Sequence, residues 1–143
     1  MSIGQYDVKS SPVYFYVQRS TDFVTEDVPI PFELERLNVG NAMNAVSGIF
    51  TAPRTELIFF SFFGLGPVNS FIRPQLFLND NCIGTGDAGE NDLSTFTLQS
   101  TLQLNAGDQV SLKLRSDGTG YLLDTGSHFT HFTGWLLQED LSY

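Results

Sequence analysis

Four acidic residues, Asp80, Asp87, Glu90 and Asp92, fall within thirteen positions of one another in the Gly- and Asn-rich segment 79–94 (NDNCIGTGDAGENDLS). Turns can bring carboxylates, amide oxygens and backbone carbonyls to one point, and about six to eight hard oxygens at such a point are what Ca2+ requires. The spacing is not that of an EF-hand loop. Two readings stay open. One is a calcium site, with Asp87 and Asp92 as the first ligands and Glu90 and Asp80 as outer or alternative ones. The other is a solvated acidic loop.

The remaining reactive side chains form no catalytic pattern. His128 and His131 are three apart; on one strand they would point to opposite faces and could not share a metal. The chain has no G-x-S-x-G nucleophile turn and no phosphate loop. Gly84-Thr85-Gly86 lacks the third glycine and the strand–helix context of a dinucleotide site, so it reads as turn punctuation. No enzymatic activity is expected, and Ca2+ is the one cofactor the residues suggest. Cys82 is the single cysteine, which excludes an intrachain disulfide and a cysteine-built zinc site. It is either a small, semi-buried strand or turn residue or the anchor of an intermolecular bridge.

The elements that position these groups belong to one domain, since 143 residues and 15.9 kDa suit a single core. The net charge of −9 argues against nucleic acid, whose phosphates need clustered Lys and Arg, and against anionic membrane surfaces. No window reaches the length of a membrane helix, so no membrane insertion is expected. The opening Met1–Tyr6 has no apolar core and is not a signal peptide. That leaves an intracellular protein or a mature fragment behind an added methionine.

The chain reads as about ten short strands. Residues 1–11 are a polar, flexible lead-in, and 12–143 form the domain. Strands are expected at 12–19, 32–39, 48–52, 56–63 and 71–78, with Pro74 marking an edge or a bulge. The strand at 56–63 is apolar on both faces and should be central, covered on each side. Gly64–Pro67 should end it. Phe96, Leu98, Ser100, Leu102 and Leu104 alternate with polar residues, as do Val110, Leu112 and Leu114, giving two strands that read as hairpin neighbours around Asn105–Asp108. Short strands at 121–124 and 129–137 follow. No window shows helical periodicity, and the pattern implies a β-sandwich.

Thirteen phenylalanines punctuate these strands, and with the tyrosines and the tryptophan they bring the aromatic share to 13%; such an excess suits a core and can also serve subunit contacts. Phe32, Asn38, Phe50, Phe60 and Phe62 stand at fixed gaps. With the phrases Phe50-Thr51-Ala52-Pro53, Leu104-Asn105-Ala106-Gly107-Asp108-Gln109-Val110 and Phe132-Thr133-Gly134-Trp135-Leu136-Leu137, they resemble the globular head of the C1q family, in the C1q/tumour-necrosis-factor superfamily. The likeness runs over roughly residues 12–138, close to a whole domain, and is nearest to invertebrate single-domain members. Met43, Glu56 and Ile58 depart from it, standing where the family has an aromatic or Leu, a Gly and a Tyr.

The resemblance implies an all-β, two-sheet jelly-roll sandwich that assembles as a homotrimer. It implies secretion, favouring the mature-fragment reading, and binding of an extracellular glycan or protein without chemistry. Innate-immune pattern recognition by a lectin comes first. A cytokine-like or synaptic-organiser ligand and an extracellular-matrix module are the alternatives. Some members bind calcium near the trimer's apex in the region of the acidic loop. On physical grounds Phe32, Phe50, Phe60, Phe62 and Phe132 are core candidates. Asn38 should bond backbone in a turn, Gly107 should take a positive φ, and Gly134 should mark close packing beside Trp135.

Overall fold

A computed structural model of the chain describes residues 11–89 and 92–139. The expected lead-in, apart from Ser11, lies outside them. The described residues hold twelve strands and no helix. In chain order these are β1 (Tyr14–Gln18), β2 (Leu34–Val39), β3 (Met43–Asn44), β4 (Ile49–Thr51), β5 (Glu56–Gly66), β6 (Phe71–Ile72), β7 (Pro74–Leu78), β8 (Asn81–Thr85), β9 (Ala88–Gly89), β10 (Ser94–Leu104), β11 (Gln109–Leu114) and β12 (His131–Glu139). One five-stranded sheet has the order β10-β5-β12-β1-β2, a second the order β3-β4-β11-β7-β8, and β9 pairs with β6 in a small third sheet. All pairings are antiparallel. This is the jelly-roll sandwich.

The core lies between the two large sheets. Alternation along β5 turns Ile58, Phe60 and Phe62 inward and leaves Leu57, Phe59, Ser61 and Phe63 on the outer side. Phe15 of β1 and Phe132 of β12 join them from the same sheet, and Phe50, Leu76, Val110 and Leu112 face them from the other. Phe50 meets Phe15 at 5.6 Å and Phe60 at 5.2 Å between ring centroids, so aromatic contacts cross the gap. Phe32, from the segment before β2, completes the cluster at 5.9 Å from Phe132. Gly134 is what lets β12 sit so close. A Cβ there would lie 2.6 Å from Phe15 Cε2 and 3.0 Å from Phe60 Cδ1.

Several local expectations are corrected. The alternating segments ending at Leu104 and starting at Gln109 are not hairpin partners: β10 pairs with β5, whereas β11 pairs with β4 and β7 in the opposite sheet. Both bury one face, but those faces oppose each other across the sandwich. The turn at 105–108 carries the chain from sheet to sheet by docking on Ala52, with Gly107 N donating to Ala52 O at 2.8 Å and Ala52 N to Asp108 O at 2.9 Å. Gly107 has φ +90° there. β5 also continues through Gly64 to Gly66, because Phe96 of β10, its partner in register, lies over the bare Gly64 backbone.

Within 79–94, expected as loop or turns, β8 and β9 form. β8 is an edge strand, almost wholly exposed, so no hydrophobic alternation marks it. Pro74 opens β7, an interior strand, and stands at its first residue, a position where a missing N–H is tolerated. The short strand expected at 121–124 reduces to one bridge, Phe23 to Leu122. Asn38 lies at the end of β2 rather than in a turn. Its Nδ2 donates to Met43 O at 2.6 Å and its Oδ1 accepts from Met43 N at 3.4 Å, tying the first sheet to the second.

Candidate interaction face

The side of the β10-β5-β12-β1-β2 sheet that faces away from the core is built from the other half of the same alternation. β5 presents Leu57, Phe59, Ser61 and Phe63, β12 presents His131, Thr133, Trp135 and Leu137, and β1 presents Tyr14 and Tyr16. Trp135 is 43% exposed, Leu137 49% and Tyr14 38%, large values for apolar groups on central strands. Phe59 and Trp135 meet at 4.8 Å, and His131 stacks on Phe63 at 5.2 Å and meets the edge of Tyr16 at 5.7 Å. β10 adds Thr95, Thr97, Gln99, Thr101 and Gln103, all exposed and uncharged. Contiguous exposed apolar faces rimmed by polar groups mark contact surfaces.

The described acidic residues of the 79–94 segment are all exposed. Asp80 is exposed in the β7–β8 turn, Asp87 is exposed between β8 and β9, and Asp92 is exposed just before β10. Glu90 lies outside the described residues. Asp87 Oδ1 sits 3.6 Å from Arg73 Nε, and Arg73 also holds Asp117 at 2.7 Å. Among the described residues no three His, Cys, Asp or Glu side chains stand close enough to share a metal ion.

The two histidines do not share a strand, and the cysteine is more exposed than its semi-buried reading. His128 precedes β12 with φ +60°, its Nδ1 at 3.0 Å from Arg19 O, while His131 is on the strand. Cys82 is exposed on edge strand β8 rather than semi-buried, its Sγ 3.6 Å from Gly84 O.

Glu56 is the unusual charge. It opens β5 with its side chain fully buried, 3.2 Å from Arg54 Nε, and neither carboxylate oxygen receives a hydrogen bond. Arg54 Nε also lies 2.5 Å from Glu139 Oε1, and its Nη2 donates to Ser11 O. Burial pushes the Glu56 carboxyl up; Arg54 opposes this and Glu139 adds to it. A carboxyl raised in the fold binds its proton more tightly than in the unfolded chain. Its contribution is present below the ordinary carboxylate range and is lost as pH rises through the raised value. Glu56→Gln keeps the shape and leaves Arg54 with Glu139. The expected gain is on the order of 1 kcal/mol at pH 7.5 and nothing at pH 4, read by urea unfolding at both pH values. A loss at pH 7.5 would mean that the ion pair outweighs its burial.

The family model for the C1q domain matches residues 14–137. The chain belongs to the C1q domain family. It is 31% identical to zebrafish (Danio rerio) Caprin-2 over 145 residues, covering 98% of this chain and 16% of that protein, so it spans a small part of that relative's length. The globular domain of the zebrafish complement 1qA protein superposes with a TM-score of 0.73 at 15% identity, over 90% of this chain and 99% of that one. Murine APRIL, crystallised at pH 5.0, superposes at 0.66 and 13% identity, over 88% and 99%. C1q-like domains are ligand-binding recognition modules.

Within this C1q domain the outward aromatic face is the feature that the acidic loop and the histidine spacing do not reveal. Its signal was present in the second apolar face of β5, carried by Leu57, Phe59 and Phe63. One side of that strand is covered by the core, and the other is covered by no part of the described protomer.

Proposed function

We propose that this C1q domain is a secreted, homotrimeric recognition module, that three copies meet through the outward face of the β10-β5-β12-β1-β2 sheet, and that it binds extracellular glycans or proteins in innate-immune pattern recognition. The observation that carries the reading is the uncharged aromatic surface of Tyr14, Tyr16, Phe59, Phe63 and Trp135 on central strands. Leaving it in water forgoes about 25 cal/mol for each Å2 of apolar area that a partner copy would cover. Closed point-group assembly is the common way for a soluble chain to cover such a face.

The remaining surface favours neutral or cationic ligands. Arg19, Arg54, Arg73 and Arg115 each pair with a carboxylate, and Arg36 donates to Gln18 Oε1. An anionic ligand would have to displace these contacts. Calcium at the acidic loop remains part of the proposal. Its support is the density of carboxylates at Asp80, Asp87, Glu90 and Asp92, which subunits meeting at an axis would have to neutralise.

Light scattering at micromolar protein is expected to return three times 15.9 kDa, and a monomer mass would overturn the assembly. A glycan and bacterial-surface screen, run with calcium and with chelator, is expected to give binding to neutral glycans. Silence there, with capture of one receptor from cell membranes, would replace the lectin reading with the cytokine-like one.

A further inference from the structure

We propose that His131 makes the assembly acid-sensitive: at neutral pH it is packed between Tyr16 and Phe63 inside the subunit contact, and its protonation at endosomal or inflammatory acidity drives the subunits apart. The inference rests on the trimer reading above.

The geometry is that of an aromatic clamp. His131 opens β12 opposite Gln18 of β1 and Phe63 of β5. Its ring lies nearly parallel to Phe63, at 5.2 Å and 21°, and edge-on to Tyr16, at 5.7 Å and 81°. It is already half-buried in one protomer. A partner copy seated on Phe59, Phe63 and Trp135 would remove more of its water.

The side chains paired with the ring offer the imidazolium no counter-charge, and the carboxylate beside the start of β12, Asp124, is held by the backbone N–H groups of His128 and Thr130. From β1 it faces the Tyr16 phenol and the Gln18 amide, and Gln18 Nε2 donates to the Tyr16 hydroxyl at 3.1 Å. From β2, Arg36 approaches the same amide, its Nε donating to Gln18 Oε1 at 2.7 Å, which sets a positive charge beyond the clamp. From β5 it faces Phe63, and β10 beyond sets Thr97 opposite that ring. Burial pulls the His131 imidazole below its ordinary value. Histidine is the side chain whose ordinary charge change falls between about pH 5 and 8, and the groups that β5, β10 and β12 turn outward beside it, Ser61, Phe63, Thr97, Gln99 and Thr133, carry no charge.

The sign follows from linkage. Free protomers bind the proton more readily than assembled ones, so association weakens as pH falls through the free-protomer value and is unaffected above it. Each unit by which assembly further lowers the imidazole's proton affinity weakens association about tenfold per histidine. Three histidines make this on the order of a thousandfold in the three-body constant.

The test is mass by light scattering, at micromolar protein, of the wild type, His131→Phe and His131→Gln at pH 7.5 and pH 5.0, with far-UV circular dichroism to check the fold. The expected result is a trimer of all three at pH 7.5. At pH 5.0 the wild type becomes a folded monomer and both variants stay trimeric. A wild type that is trimeric at both pH values overturns the acid switch and leaves the assembly standing. A wild type that is monomeric at pH 7.5 overturns both. Dissociation of wild type and variants alike at pH 5.0 assigns the effect to other groups and overturns the role of His131.

Discussion

Phe132→Ala is expected to lower the unfolding free energy by about 3–5 kcal/mol. Phe132 is fully buried on β12, and its ring sits 5.0 Å from Phe15, 5.9 Å from Phe32, 5.9 Å from Phe60 and 6.1 Å from Phe62. Four of the largest core side chains would lose a partner at once. They come from β1, β5 and the segment before β2, so no single element can move to fill the void. A domain of this size has about 5–15 kcal/mol in total, and the variant should lie close to unfolding at room temperature. Phe132→Leu retains much of the apolar area and should cost clearly less. Urea unfolding followed by tryptophan fluorescence reads both, since Trp135 lies three residues along the same strand. A loss below about 1 kcal/mol for the alanine variant would show that the cluster repacks around the gap.

How much of this was legible in the chain depends on what each residue's signal encodes. Alternation at Phe96–Leu104 and Val110–Leu114 correctly indicates strands with one buried face. It does not encode which strand lies beside which, because side-chain period is a property of one strand and pairing is a property of the whole sandwich. Hence two strands that look like a hairpin belong to opposite sheets. β8 was illegible for the opposite reason. An exposed edge strand of Asn81–Thr85 needs no apolar face and leaves only polar and glycine residues to read. Gly64 misled because glycine usually interrupts a strand, whereas here a neighbouring phenylalanine covers it. The acidic loop drew attention through residue type, but Arg73 engages Asp87 from a distant position, which local spacing cannot register. Glu56 was visible as a departure at a glycine position of the family pattern. Its burial and its pairing with Arg54 and Glu139 needed three dimensions.

Trp135→Glu is expected to abolish assembly while leaving the protomer folded. The indole is 43% exposed on β12 and packs 4.8 Å from Phe59. A carboxylate at this position costs the isolated protomer little, because water still reaches it. In a trimer, three copies would be enclosed in an apolar contact, and the cation described on this face, Arg36, is already engaged by Gln18. Desolvation and mutual repulsion then act together. Truncating a well-packed central aromatic commonly removes 2 kcal/mol or more of association free energy, and a buried like charge adds to that, so at micromolar protein the mass should fall from trimer to monomer. Far-UV circular dichroism should be unchanged. Val46→Glu is the matched control: Val46 is 87% exposed, lies between β3 and β4 of the opposite sheet, and should leave the mass as it is. If Trp135→Glu stays trimeric and Val46→Glu does not, the contact lies on the other side of the sandwich, and the aromatic face is free to bind ligand.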